Sequence, residues 1–390
     1  MPPQSYNDPV DGTPSNIGTQ IRTDSYIKRA LIEMRKEQYF GQLANVTNLP
    51  KHMGKKIKKY HYLPLLDDAN INDQGIDATG ATIADGNLYG SSKDVGSIPG
   101  KMPVLSETGG RVNRVGFKRQ EIEGSIAKFG FFDEYTQESL DFDTDAELMM
   151  HINREMLNGA NEMTEDLLQI DLLNSAGVVK FAGDATTDAE LDEVDEVTYG
   201  DLLRLQIDLD NNRTPKHTKV LTGTRMVDTR TIPACRVMYV GSELQPLLEG
   251  MVDLHGEKAF IPVEKYAAGG NVLPGEVGTV ARFRVIVVPE MMKWEGAGAD
   301  ATANATHFKT GTKFDVLPML VVGDSSFSTI GFQTDGKTVK FKITHKKPGT
   351  ETADRTDPYG ETGFMSIKWY YGFLLERGER IALVKTTAPM

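Results

Sequence analysis

The sequence predicts an α+β fold carrying an outstretched β-ribbon, and three observations predict it. A helical repeat of roughly 30 residues at 144–176 follows a capping signal. Two strand-like runs, 54–66 and 117–136, flank a long stretch of Gly, Asp, Asn, Ser and Thr at 67–116. From residue 198 onward, short strands and helices alternate.

Taken in order, residues 1–23 are rich in Pro, Asn, Asp, Ser and Thr and read as an extended arm. Asp24 or Ser25 can cap a helix. Ile27, Ala30, Leu31 and Met34 fall on one face of it, Lys28, Arg29, Arg35 and Lys36 lie among the polar positions, and Leu49-Pro50 ends the segment. The β-branched and aromatic content of GKKIKKYHYLPLL, 54–66, predicts a strand, and FKRQEIEGSIAKFGFFDEYT, 117–136, predicts its partner in a long hairpin. So long an interval without periodicity is unusual in a compact enzyme domain. A ribbon of this kind buries little against its own chain and makes sense where neighbouring subunits cover it.

Thr144-Asp145-Ala146-Glu147 forms a capping box, and Met149, Ile152, Met156, Ala160, Met163, Leu167 and Ile170 recur at spacings of three and four. The helix they predict is about 45 Å long at 1.5 Å per residue and ends near Gly177, a length that suits a spine. Residues 184–196 carry seven acids and read as a solvated loop whose spacing matches no calcium-loop template. Thr198 caps a second helix with Leu202, Leu203, Leu205, Ile207 and Leu209, stopped by Asn211-Asn212 and Pro215. Strands are expected at 218–222, 236–240, 282–288, 316–322, 338–344, 366–375 and 380–386, with a short helix at 242–250 capped by Ser242 and a Gly/Ala loop at 296–305.

Composition narrows the function classes. With 39% hydrophobic residues in 390, a sizeable core is within reach. The net charge of −12 argues against a nucleic-acid binder by electrostatic footprint. Cys235, the single cysteine, can form neither an intrachain disulfide nor a Cys-based zinc site alone, which fits assembly in a reducing compartment. The N-terminus lacks the pattern of a signal peptide, and no run of 18 apolar residues exists.

No catalytic, cofactor or metal residues are assigned. The histidines, His52, His61, His151, His217, His255, His307 and His345, show no metal-ligand spacing, and a Walker loop, GxSxG elbow and HExxH are all lacking. Lys55, Lys56, Lys58 and Lys59 with Tyr60 and Tyr62 form the one basic-aromatic patch legible in sequence. It could touch DNA phosphates, but a solvated inter-subunit ribbon whose lysines pair with acids on a neighbour is the preferred reading. An enzyme without a linear motif remains open on the residues alone.

Certain blocks carry a resemblance. LANVTNLPKHMGKKIKKYHY at 43–62, FDEYTQESLDFDTDAELMMHINREMLNGANEMTEDLLQIDLLNSA at 132–176, GEVGTVARFRVIVVPEM at 275–291, LPMLVVGDSSFSTIGF at 317–332 and DPYGETGFMSIKWYYGFLLERGERIALVK at 357–385 run in family order. Together they resemble the major capsid proteins of tailed bacteriophages, more narrowly the enquatrovirus-type (Schitoviridae-like) podophages. The resemblance implies a Hong Kong 97-type fold: an N-terminal arm (1–53), an E-loop β-hairpin (54–142), a P-domain with the spine helix (143–214), an A-domain (215–335) and C-terminal P-domain strands (336–390). It also implies an icosahedral virion capsid of hexamers and pentamers around double-stranded DNA, assembled in the host bacterial cytoplasm without a membrane. The partners implied are other copies of the chain, with scaffold, portal and decoration proteins as further candidates. An encapsulin-like compartment shell is the rival on the same fold.

Overall fold

A computed structural model describes residues 5–6, 15–16, 39–50, 52–62, 76–77, 80–81, 119–138, 148–221, 229–232, 235–266, 272–302, 306–332, 341–353 and 355–390. The elements that position everything below are, in chain order, β1 (Asn45–Leu49), β2 (Lys56–Tyr62), β3 (Arg119–Thr136), α1 (Leu148–Asn174), β4 (Val178–Phe181), α2 (Tyr199–Asn211), β5 (Arg236–Gly241), α3 (Gln245–Gly250), β6 (Ile261–Pro262), β7 (Glu276–Val280), β8 (Phe283–Val288), β9 (Leu317–Val322), β10 (Phe327–Phe332), β11 (Lys342–Lys346), β12 (Thr362–Leu375) and β13 (Ile381–Thr386).

Two mixed sheets organise the chain. One runs β6-β7-β8-β5-β9-β13-β4. Its central strands, RVMYVG and LPMLVV, are buried along their whole length, as strands covered on both faces must be. On one face, Val237, Tyr239, Leu320 and Val322 join Leu168 and Leu172 of α1. On the other, Met238, Val240, Met319 and Val321 join Leu202, Leu205 and Leu209 of α2. The second sheet runs β1-β10-β12-β3-β2, with β11 added to the edge of β12. Strand β12 alternates cleanly: Met365, Ile367, Trp369 and Tyr371 are buried, while Thr362 and Lys368 are exposed. Its buried side packs with Met156 and Ala160 of α1 and with Phe129 and Phe131 of β3. Helix α1 therefore belongs to both sheets and fastens them together.

That double duty changes the face α1 buries. The sequence periodicity expects Met156, Ala160, Met163 and Ile170 on one inward stripe. Met156 and Ala160 are indeed buried, but Met163 and Ile170 are 45% and 42% exposed. Leu168 and Leu172 are buried instead, in the core the two sheets share, and Asp171 beside them accepts the Tyr371 hydroxyl of β12 at 2.8 Å. The capping box Thr144–Glu147 lies outside the described residues.

Other expectations are corrected. The helix expected to reach Leu49 does not extend over 39–49: Gly41–Leu43 is a 3₁₀ turn and β1 follows, pairing in parallel with β10. The 24–38 part of that expectation lies outside the described residues. Ser242 opens a 3₁₀ turn and caps nothing; α3 begins only at Gln245, with Pro246 in its first turn. The acid-rich segment 184–196 is not a solvated loop throughout. Leu191 is fully buried, and the Asp195 carboxylate accepts the amides of Asp184 and Asp192 at 3.1 and 3.0 Å. Asp188 takes Lys385 of β13 at 2.7 Å. The Gly/Ala stretch is packed against this segment, and a Cβ at Gly298 would lie 2.9 Å from the Leu191 carbonyl oxygen.

The sheets also draw strands from across the domain boundaries expected from sequence. β13 and β4 join the sheet of 236–322, and β1 and β10 join the sheet of the ribbon and β12.

Candidate assembly surface

The ribbon grows out of the core. Over Ser125–Thr136, β3 pairs with β12; over Arg119–Ser125 it pairs with β2 instead, in the antiparallel register expected of a hairpin. Among the described residues its base is packed: Ile57 and Ile122 lie against Leu49, Ile126, Ile330 and Leu374. Over Lys56–Tyr62 the two strands are paired along their whole described length.

Cross-strand electrostatics fit this isolation. Lys56 hydrogen-bonds Glu123, Lys58 pairs with Glu121 and stands 3.8 Å from Glu123, and Lys59 reaches Glu376 at 2.7 Å. The hydrogen bond from Lys56 holds the Glu123 carboxyl below its usual range, and the bond to Glu121 raises the Lys58 ammonium. The Arg119 guanidinium sits 4.1 Å from the centre of the Tyr60 ring. Three of the four lysines expected to meet acids on a neighbour, Lys56, Lys58 and Lys59, thus find them within their own chain. Sequence reading missed this because Glu121, Glu123 and Glu376 become neighbours only through strand register.

A second feature is the seat of the N-terminal segment. Tyr39, Phe40, Leu43 and Ala44 are buried in the core shared by the two sheets. Glu165, inside α1, accepts the backbone amides of Tyr39 at 2.7 Å and Phe40 at 2.5 Å. Burial pushes its carboxyl above the ordinary range, against the lowering effect of those amides. The Tyr239 hydroxyl of β5 donates to the Tyr39 carbonyl at 2.9 Å, and the Phe40 and Tyr239 rings lie 4.5 Å apart. A Cβ at Gly275, where φ is +74°, would fall 2.4 Å from the Tyr39 ring, so this turn requires glycine twice over. No linear motif signals the seat; a lone Glu in a helix looks like any solvated acid.

Three of the histidines have separate partners. His307 lies 3.0 Å from Glu196, His345 hydrogen-bonds Tyr135, and His217 stands 3.9 Å from Asp324. Among the described residues no group of three or more His, Cys, Asp or Glu converges on a metal-sized space. Cys235 is buried, and burial raises its thiol. What the surface offers is an ordered ribbon, sheet edges and exposed apolar side chains, among them Phe132, Met163 and Ile170.

A profile described as phage capsid protein matches residues 119–386, more than half of the chain. The chain belongs to the phage capsid protein family. The major capsid protein of Pseudomonas phage KPP21 is 66% identical over 390 residues, spanning 100% of this chain and 98% of that protein. In fold, the chain is similar to the capsid of Ralstonia phage GP4, with a TM-score of 0.57 at 12% identity, covering 95% of this chain and 98% of that one. It is also similar to the capsid of cyanophage Pam1, with a TM-score of 0.53 at 12% identity and the same coverage. At such identities the likeness speaks for the fold alone. This capsid protein is a major capsid protein, a structural subunit of a phage shell and part of the virion; it is not an enzyme.

Proposed function

We propose that this capsid protein has the Hong Kong 97-type fold and tiles an icosahedral shell of hexamers and pentamers around double-stranded DNA. In this reading residues 54–142 form the E-loop and 1–53 the arm, both lying across neighbouring subunits. Helix α1 and β12 form the body of the P-domain, and 215–335 contributes the A-domain. The observation that carries it is the ribbon: a hairpin rooted in a core strand, cross-linked by ion pairs and packed at its base. A monomer gains little from such an extension, whereas a lattice multiplies many weak contacts between copies. The ordered blocks quoted above support placement among enquatrovirus-type (Schitoviridae-like) podophages. The lone buried Cys235 supports assembly in a host cytoplasm.

Scaffold, portal and decoration proteins are the further partners of this reading, and maturation is a bistable rearrangement of the body and ribbon. Negative-stain imaging of the expressed protein is expected to show closed particles or rings of five and six. A discrete monomer or dimer that never enlarges, even with a scaffold supplied, overturns the proposal. Cryo-EM of empty precursors and full particles is expected to show α1 and the ribbon in different positions; identical positions rule out the maturation step.

A further inference from the structure

The six-stranded sheet turns one face away from α1, and that face is basic. On β12 the odd-numbered side chains from 365 to 371 are buried and the even-numbered ones lie opposite them. Residues directly paired in antiparallel strands share a face. Register therefore places Lys368 between Lys342 and Gly130, Ser366 between Thr344 and Phe132, Phe364 between Lys346 and Glu134, and Tyr370 beside Lys128. Four lysines share the surface with a single glutamate, and all five are exposed. Phe132 at its centre is 64% exposed.

Unlike the ribbon lysines, these four make no ion pair with any described residue. Lys342 and Lys368 stand directly opposite each other, where like charges destabilise a sheet unless an anion answers them. The chain contains a suitable anion. Residues 67–94, in the interval between the two ribbon strands, hold Asp67, Asp68, Asp73, Asp77, Asp85 and Asp94 against Lys93 alone.

We propose that the basic face of β3, β11 and β12 in one subunit receives the acidic segment 67–94 of a second copy. Charge complementarity fixes the pairing, and a shell of identical subunits supplies one acidic segment for each basic face. Packaged DNA is the weaker occupant, because a subunit of net charge −12 repels phosphate overall and the face carries its own carboxylate at Glu134. The proposal rests on the ribbon bridging subunits, as argued above.

Charge reversal on full-length protein tests it. The pair Lys342→Glu with Lys368→Glu is expected to lower the fraction of protein recovered in shells by about tenfold, as is the pair Asp67→Lys with Asp68→Lys. Combining all four substitutions is expected to restore shells. Circular dichroism of each variant guards against misfolding, and Lys342 and Lys368 are both exposed. Normal shell yield from either pair at low salt overturns the proposal, and so does failure of the combined variant to restore it. Shells that form in normal yield but lose their DNA assign the face to the genome and overturn it too. Deleting residues 67–94 separates this inference from its premise. If the deletion abolishes shells while the charge reversals leave them intact, the bridging ribbon stands and the pairing falls. If shells survive the deletion, both fall.

Discussion

Glu165 shows how a single side chain can hold a chain segment in place. Its carboxylate is the acceptor for the buried amides of Tyr39 and Phe40. Glu165→Ala leaves those amides unsatisfied, and the unassembled subunit is expected to lose about 1–3 kcal/mol in urea unfolding. A loss below a few tenths would show that the seat of Tyr39 and Phe40 is held by packing alone. The same group gives a pH signature. Its carboxyl is raised in the fold, so the folded chain keeps a proton over a range where the unfolded chain has released it. Stability from this group is full below its ordinary value and is lost as pH rises through the folded value. Relative to Glu165→Gln, the natural protein is therefore expected to gain stability as pH falls from neutral toward the ordinary carboxylate range. A difference that does not move with pH contradicts the assignment. Gly275→Ala meets both a left-handed backbone and the Tyr39 ring, and is expected to cost about 1–3 kcal/mol by the same measurement.

Helix α1 shows what periodicity conveys and where it stops. Its length, spacing and approximate end were legible, since a long run of apolar residues at spacings of three and four admits little else. Its rotation was not, because the inward side is set by two sheets whose strands come from residues 45–49, 119–136, 236–241, 317–332 and 362–375. Two substitutions on this helix should therefore differ. Leu172→Ala empties a fully buried site and is expected to cost about 2–5 kcal/mol in subunit stability. Met163→Ala, half exposed, is expected to stay within about 0.5 kcal/mol in the subunit. If the two cost the same, the burial described for α1 is wrong. Strand pairing hid features in the same way. The ribbon strands could be read from composition, but the carboxylates that neutralise their lysines could not. The basic face, gathered from β3, β11 and β12, has no local sequence signal at all.

For the whole molecule, the α+β class and the order of elements were readable, while sheet membership was not. Strand β13 lies between β9 and β4 in the seven-stranded sheet, pairing with one antiparallel and the other in parallel. Its Ile381 is buried in one core, and Ala382 and Val384 are buried in the other. Removing residues 381–390 exposes two strand edges and both cores, so the truncated chain is expected to be insoluble or to lack a cooperative unfolding transition. A soluble, cooperatively folded truncation would show that β13 is dispensable.

The position of β13 has a consequence for timing on the ribosome. Strand β4 is synthesised about 200 residues before the partner that completes its edge, an interval of roughly 10–40 s at ~5–20 residues per second. Until then the edge of β4 that β13 covers stays open on the nascent chain, and the seven-stranded sheet is completed among the last steps of synthesis.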